Sequence, residues 1–122
     1  MTNVSFLTGV ALDRWVARAA GIEVFCFAEG MPHEWIGKDV QGAREIYSPS
    51  TDWSQAGPLI EIEQISIERA NGHAGEPLKY YARAGTGHRR TRSLFGSTHL
   101  IAAMRAYVTC KLGDSVVEDP SV

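Results

Sequence analysis

Cysteine is scarce in this chain. Its two cysteines, Cys26 and Cys110, stand far apart and in no motif. A secreted scaffold held by disulfides carries more, at closer spacing, so both are read as buried thiols rather than as a bridge. Long apolar runs are lacking too. The opening "MTNVSFLTGVALDRW" has neither a basic leader region nor enough consecutive apolar residues for a signal peptide or a membrane span. A cytosolic protein without membrane contact is expected. The four histidines, His33, His73, His88 and His99, form no His-x-x-x-His pattern and meet no Cys-x-x-Cys, which argues against a zinc site. A Gly-x-Ser-x-Gly elbow is missing, and "GTGHRR" has neither the Gly-Lys-Ser/Thr nor the following helix of a phosphate loop. The neighbouring carboxylates Glu61 and Glu63 read as a solvated face. No catalytic residue, metal or cofactor is assigned, and a non-enzymatic protein is expected.

What is present is an ordinary globular chain. Hydrophobic residues make up 44% of its 122 residues and charged ones 21%, enough for one domain with a core of its own. That domain is placed at residues 1–113, with 114–122 as a frayed tail. The net charge of −2 hides a division. Residues 1–76 carry five Lys/Arg against eleven Asp/Glu, whereas residues 77–113 carry seven and no acid. Such a split suits a polyanionic partner or a homodimer through opposite patches.

Apolar residues at Leu12, Trp15, Val16 and Ala19 follow helical spacing, so the segment Leu7–Gly21 is expected to be an amphipathic helix capped by Thr8 and ended by Gly21. "IEVFCFAE" (Ile22–Glu29) reads as a strand covered on both faces. Residues 30–49 read mostly as a long loop, with Arg44–Tyr47 a short strand. A turn over Asp52–Ala56, capped by Asp52 with Ser50 and Thr51 as competing caps and with Gln55 completing a loose capping box, is expected to stop before Gly57-Pro58, where a helix restarts. That short helix runs to Glu63 or Gln64, and a strand follows over Ile65–Arg69. "NGHAGEP" is a loop, and "LKYYARA" and "HRRTRSLF" flank "GTG" as a hairpin. Ser97–Gly113 is a second long amphipathic helix, with Leu100, Ile101, Met104 and Val108 on one face. The sum is an α+β two-layer sandwich: an antiparallel sheet of about four strands, two long amphipathic helices and one short helix.

Two surfaces are candidate binding sites. One is the corner "YSPSTDWSQAGPLIE". Here Trp53 either plugs the bend between loop and core, its indole N–H on a backbone oxygen, or forms a recognition surface with Tyr47, Ser48, Ser50, Thr51, Asp52 and Glu61. The other is the basic hairpin. Lys79, Tyr81 and Arg83 alternate onto one face, and across the turn Arg90 and Arg92 share a face with Arg89 opposite. Cations and aromatics on a two-stranded ribbon would suit a nucleic acid or an acidic protein, or serve only solubility and edge protection.

The corner, together with "LIAAMRAYVTCKLGD" and the opening "LTGVALDRWVARAAGI", resembles the phage NinX family of small proteins encoded by temperate phages and prophages. Ser48, Pro49, Asp52, Trp53, Gly57, Pro58 and Glu61 match its pattern. The chain departs in the middle, where members are often richer in tryptophan and the "GHRRTR" run is not shared. The resemblance implies a phage accessory protein in the bacterial cytoplasm, without a known activity to inherit. It would bind a host or phage macromolecule, a protein before a nucleic acid, as a regulator or against host defence. Direct nucleic-acid binding through residues 79–92 and a small-ligand or nucleotide pocket at Trp53 are the alternatives.

Overall fold

The computed structural model describes residues 2–26, 36–40, 43–70 and 80–117. The far half of the expected Ile22–Glu29 strand, the "NGHAGEP" loop and Lys79 lie outside them. The described chain mixes helices with short antiparallel strands, an α+β composition. The strands fall into three sheets rather than one of four: a pair, β1 (Thr2–Asn3) with β8 (Ser115–Val116); a sheet of β2 (Phe25–Cys26), β3 (Ile36–Val40) and β4 (Ala43–Ile46); and a sheet of β5 (Ser66–Arg69), β6 (Tyr80–Arg83) and β7 (Leu94–Gly96).

The centre of the fold is α3 (His99–Leu112), which touches α1 (Gly9–Ala20), α2 (Trp53–Ile62), all three strands of the β5–β6–β7 sheet, and β8. Every residue from Ala102 to Thr109 is buried. The middle of the expected amphipathic helix is therefore enclosed on all sides, and the alanines at 102, 103 and 106 allow neighbours to approach from directions that a larger side chain would block. Arg105 remains inside because its guanidinium donates to two backbone carbonyls, Leu7 O at 3.0 Å and Phe95 O at 2.6 Å. Gly96 is required by contact. A Cβ there would lie 2.6 Å from the amide nitrogen of Ala102 and 2.9 Å from Ile101 Cγ2, so β7 reaches the first turns of α3 only without a side chain.

α1 ends as its sequence indicates. Gly21 is left-handed at φ 74, its amide donates to Arg18 O, and Ile22 N donates to Ala17 O, the paired bonds of a Schellman motif. Its start differs: Thr8 sits at the N-cap with extended backbone, but its side chain makes no capping bond. The long loop expected over residues 30–49 contains the β3–β4 hairpin, with Gly37 opposite Ile46 and Val40 opposite Ala43. "IGKDV" lacks apolar alternation and is a strand by backbone pairing. The tail is not wholly frayed either. Val4 N donates to Asp114 O at 2.9 Å, Thr2 pairs with Val116, and Val116 is buried.

α2 runs unbroken through Pro58 instead of restarting at it. Proline there removes one helical hydrogen bond, and the helix survives by packing Ala56, Leu59 and Ile60 into the core. Its end is another Schellman pair, Gln64 N to Glu61 O and Ile65 N to Ile60 O, with Gln64 at φ 50 in the position usually taken by glycine.

Candidate functional site

The corner begins where Ser48 O accepts from both Thr51 N and Asp52 N, at 3.0 and 2.9 Å. Asp52 then caps α2: its Oδ1 accepts from the Ser54 amide at 2.9 Å and the Ser54 hydroxyl at 2.6 Å, bonds that hold the carboxyl below its ordinary pKa. Gln55 does not complete a capping box. Its amide reaches back to β4, donating to Ile46 O at 2.7 Å and Glu45 Oε1 at 3.2 Å, while its oxygen accepts from Ser48 N. Beneath the turn, Ser50 N donates to Oδ1 of the buried Asp13 at 2.8 Å, tying the corner to α1. Burial pushes the Asp13 carboxyl up to about 6, against the lowering effect of the Ser50 bonds.

Pro49 and Ser50 fill the bend. Trp53 does not: it is 55% exposed. This reverses the reading of the indole as a plug. As the first residue of α2, Trp53 leans beyond the helix start, because Cα–Cβ bonds tilt toward a helix N-terminus. There it meets the start of α3, whose cap Thr98 accepts from Ile101 N at 3.1 Å. Between the two helix starts lies a pocket of about 250 Å³ lined by Ser50, Thr51, Trp53, Thr98, His99, Leu100 and Ile101. The Trp53 and His99 rings stand 6.1 Å apart at 53°, and Tyr80 of β6 supports His99 at 3.8 Å and 32°.

Of the corner residues, Ser50, Thr51 and Trp53 reach this pocket. Tyr47 does not belong to a surface. It is 2% exposed, its hydroxyl has no hydrogen-bond partner among the described residues, and burial raises its pKa. Ser48 and Asp52 shape the turn, and Glu61 is exposed farther along α2 without lining the pocket. Sequence reasoning missed His99, weighed only as a metal ligand. Its place directly after a Ser-Thr cap marks a helix start, but only the fold brings that start beside Trp53. Among the described residues, no group of three or more His, Cys, Asp or Glu gathers as metal ligands.

The basic segment is not the expected ribbon. β6 ends at Arg83 and β7 begins at Leu94, so Arg89, Arg90 and Arg92 lie in the connection, which carries a 3₁₀ turn at Gly87–Arg89. Thr91 closes that connection: its amide donates to Ala84 O at 2.8 Å and its hydroxyl accepts from Ala84 N at 3.0 Å. Three arginines are engaged within the chain. Arg83 donates to Thr91 O, Arg90 to Ser66 Oγ and Gly85 O, and Arg92 to Asp114 Oδ1 at 3.2 Å. Tyr81 donates its hydroxyl to Glu68 and packs on Phe95 across the sheet. Arg89 is exposed.

The framework and the corner have a counterpart among known families. A family model described as Bacteriophage P22, NinX matches residues 3–111. The chain belongs to the NinX family. The match spans α1, the corner, the pocket and nearly all of α3, so the site lies wholly inside the family region. No curated protein matches the chain.

Proposed function

We propose that this NinX-family protein is a phage accessory factor that acts by binding rather than by catalysis, in the cytoplasm of the bacterial host, with the pocket between α2 and α3 as its binding site. The observation that carries this reading is the exposed Trp53 at the rim of a pocket that also holds His99. Several large apolar side chains are exposed among the described residues, and Trp53 is the one of them that lines this pocket. The polar groups around it, Ser50, Thr51 and Thr98, are few and converge on an otherwise apolar wall, the composition of a ligand site. At about 250 Å³ the pocket falls below the roughly 300–1,000 Å³ of sites for drug-sized molecules, which favours a small ligand over an extended chain.

A protein partner is the second reading, favoured by Ile62, which is also exposed on α2. Nucleic-acid binding through the 79–92 segment is weakened by the internal bonds of Arg83, Arg90 and Arg92 and by Glu68 beside Tyr81. The test is to purify wild-type protein and Trp53→Ala from host cells, denature both, and identify released small molecules by mass spectrometry alongside co-purifying proteins. A small molecule carried by wild type and lost from the variant is the expected result. A variant with the same small molecules and the same proteins as wild type refutes the pocket as the binding site.

A further inference from the structure

We infer that the ligand of this pocket is a planar heteroaromatic ring of one- or two-ring size, of the nucleobase class, held by stacking against His99 and Trp53. The inference rests on the pocket reading above and adds the chemistry of the occupant. Three aromatic side chains from three elements meet here: Trp53 opens α2, His99 opens α3, and Tyr80 comes from β6. Their contacts are unequal. Tyr80 and His99 are in stacking contact, with ring centroids 3.8 Å apart, and Tyr80 does not line the pocket. It therefore acts as a backing plate that fixes the imidazole. Trp53 and His99 both line the pocket, and their centroids are 6.1 Å apart.

A ring stacked between two others requires twice the carbon–carbon contact distance of roughly 3.5 Å, or about 7 Å. At 6.1 Å and 53° the two rings are themselves a tilted aromatic pair in direct contact, so a ligand ring stacks on His99 only as Trp53 turns aside. Trp53 is the ring that can turn, since 55% of it is in solvent and Tyr80 backs only His99. His99 is the fixed jaw. The pocket rim offers Thr51 Oγ1, which donates to Ser48 O at 3.3 Å and can still accept, and Thr98 Oγ1, which accepts from Ile101 N and can still donate. Hydrogen-bonding groups in the plane of a ring have partners there that an aliphatic ligand would leave unused. The volume of about 250 Å³ accommodates a single base and not a run of them.

Titration of the full chain with adenosine, guanosine, cytidine and uridine, and with ribose as the ring-free control, tests this by calorimetry. Saturable binding of at least one nucleoside and none of ribose is expected. Removing a stacking ring weakens such binding roughly five- to 150-fold, so His99→Ala and Trp53→Ala should each do so, whereas Trp53→Phe should retain most of it. Both residues are exposed, so both variants should stay folded in thermal melts, His99→Ala losing only the contact with Tyr80. Absence of saturable binding by all four nucleosides overturns the inference, as does binding that neither alanine variant weakens. If the molecule released from purified protein depends on Trp53 but contains no ring, the pocket reading stands and the stacking inference fails.

Discussion

Asp13 is the residue whose perturbation tests the energetics of this fold most directly. It is 4% exposed, and its Oδ1 accepts from the Ser50 amide that holds the corner under the pocket. Desolvation outweighs that bond and raises the carboxyl from 3.8 to about 6. At 1.36 kcal/mol per unit, keeping Asp13 ionised in the native state costs about 3 kcal/mol relative to the unfolded chain. Between pH 3.8 and about 6 the native state binds more protons than the unfolded state, so the unfolding free energy falls as pH rises through that window and this contribution is flat above it. Asp13→Asn keeps an oxygen for Ser50 N and removes the charge. At pH 7.5 the variant should be more stable than wild type by up to about 3 kcal/mol. With roughly 2.1 cal/mol/K of unfolding entropy per residue, that is about 12 °C in Tm for 122 residues. Below pH 4 the two proteins should converge. Urea unfolding of both at pH 4, 5, 6 and 7.5 measures the difference. Equal stability at pH 7.5, or a gap that does not narrow toward pH 4, refutes the argument.

Three further substitutions probe other parts of the fold. Gly96→Ala places a methyl 2.6 Å from Ala102 N and should destabilise by about 1–3 kcal/mol as β7 is pushed off α3, read as a lower urea midpoint with unchanged slope. Gln64→Gly relieves a left-handed side-chain residue at the end of α2. Roughly 1–2 kcal/mol of strain released, less the entropy that glycine loses, should raise stability by about 0.5–1 kcal/mol in thermal melts; a loss would mean the Gln64 side chain contributes more than the strain. Tyr47→Phe removes a buried hydroxyl without a partner and should leave stability unchanged or raise it by about 1 kcal/mol, whereas a loss above that size in the same assay would reveal a partner for the oxygen.

Elements defined by their own residues were legible. The α1 stripe of Leu12, Trp15 and Val16, its Gly21 stop, the Asp52 cap and the Ser66–Arg69 strand all appear close to where local pattern places them. Elements defined by partners were not. β3 is a strand through its pairing with β2 and β4, and "IGKDV" has no alternation to announce it. Pro58 argued for a break that the packing of Ala56, Leu59 and Ile60 overrode. The candidate site follows the same division. Ser50, Thr51 and Trp53 stood out as a dense turn, but the sequence does not indicate which of them face the core.

The order of residues alone determined the helical phase of α1, its Gly21 stop and the Asp52 cap, because each depends on contacts within about one or two helical turns. Tertiary structure decided the rest: that Pro49 and Ser50 enter the bend while Trp53 stays in water, that the middle of α3 is enclosed on every side, and that Arg83, Arg90 and Arg92 of the basic segment bond within the chain. It also set His99, 46 positions from Trp53, across one pocket from it. Exposure and long-range proximity are properties of how the elements cover one another, and that covering is written in no short stretch of the chain.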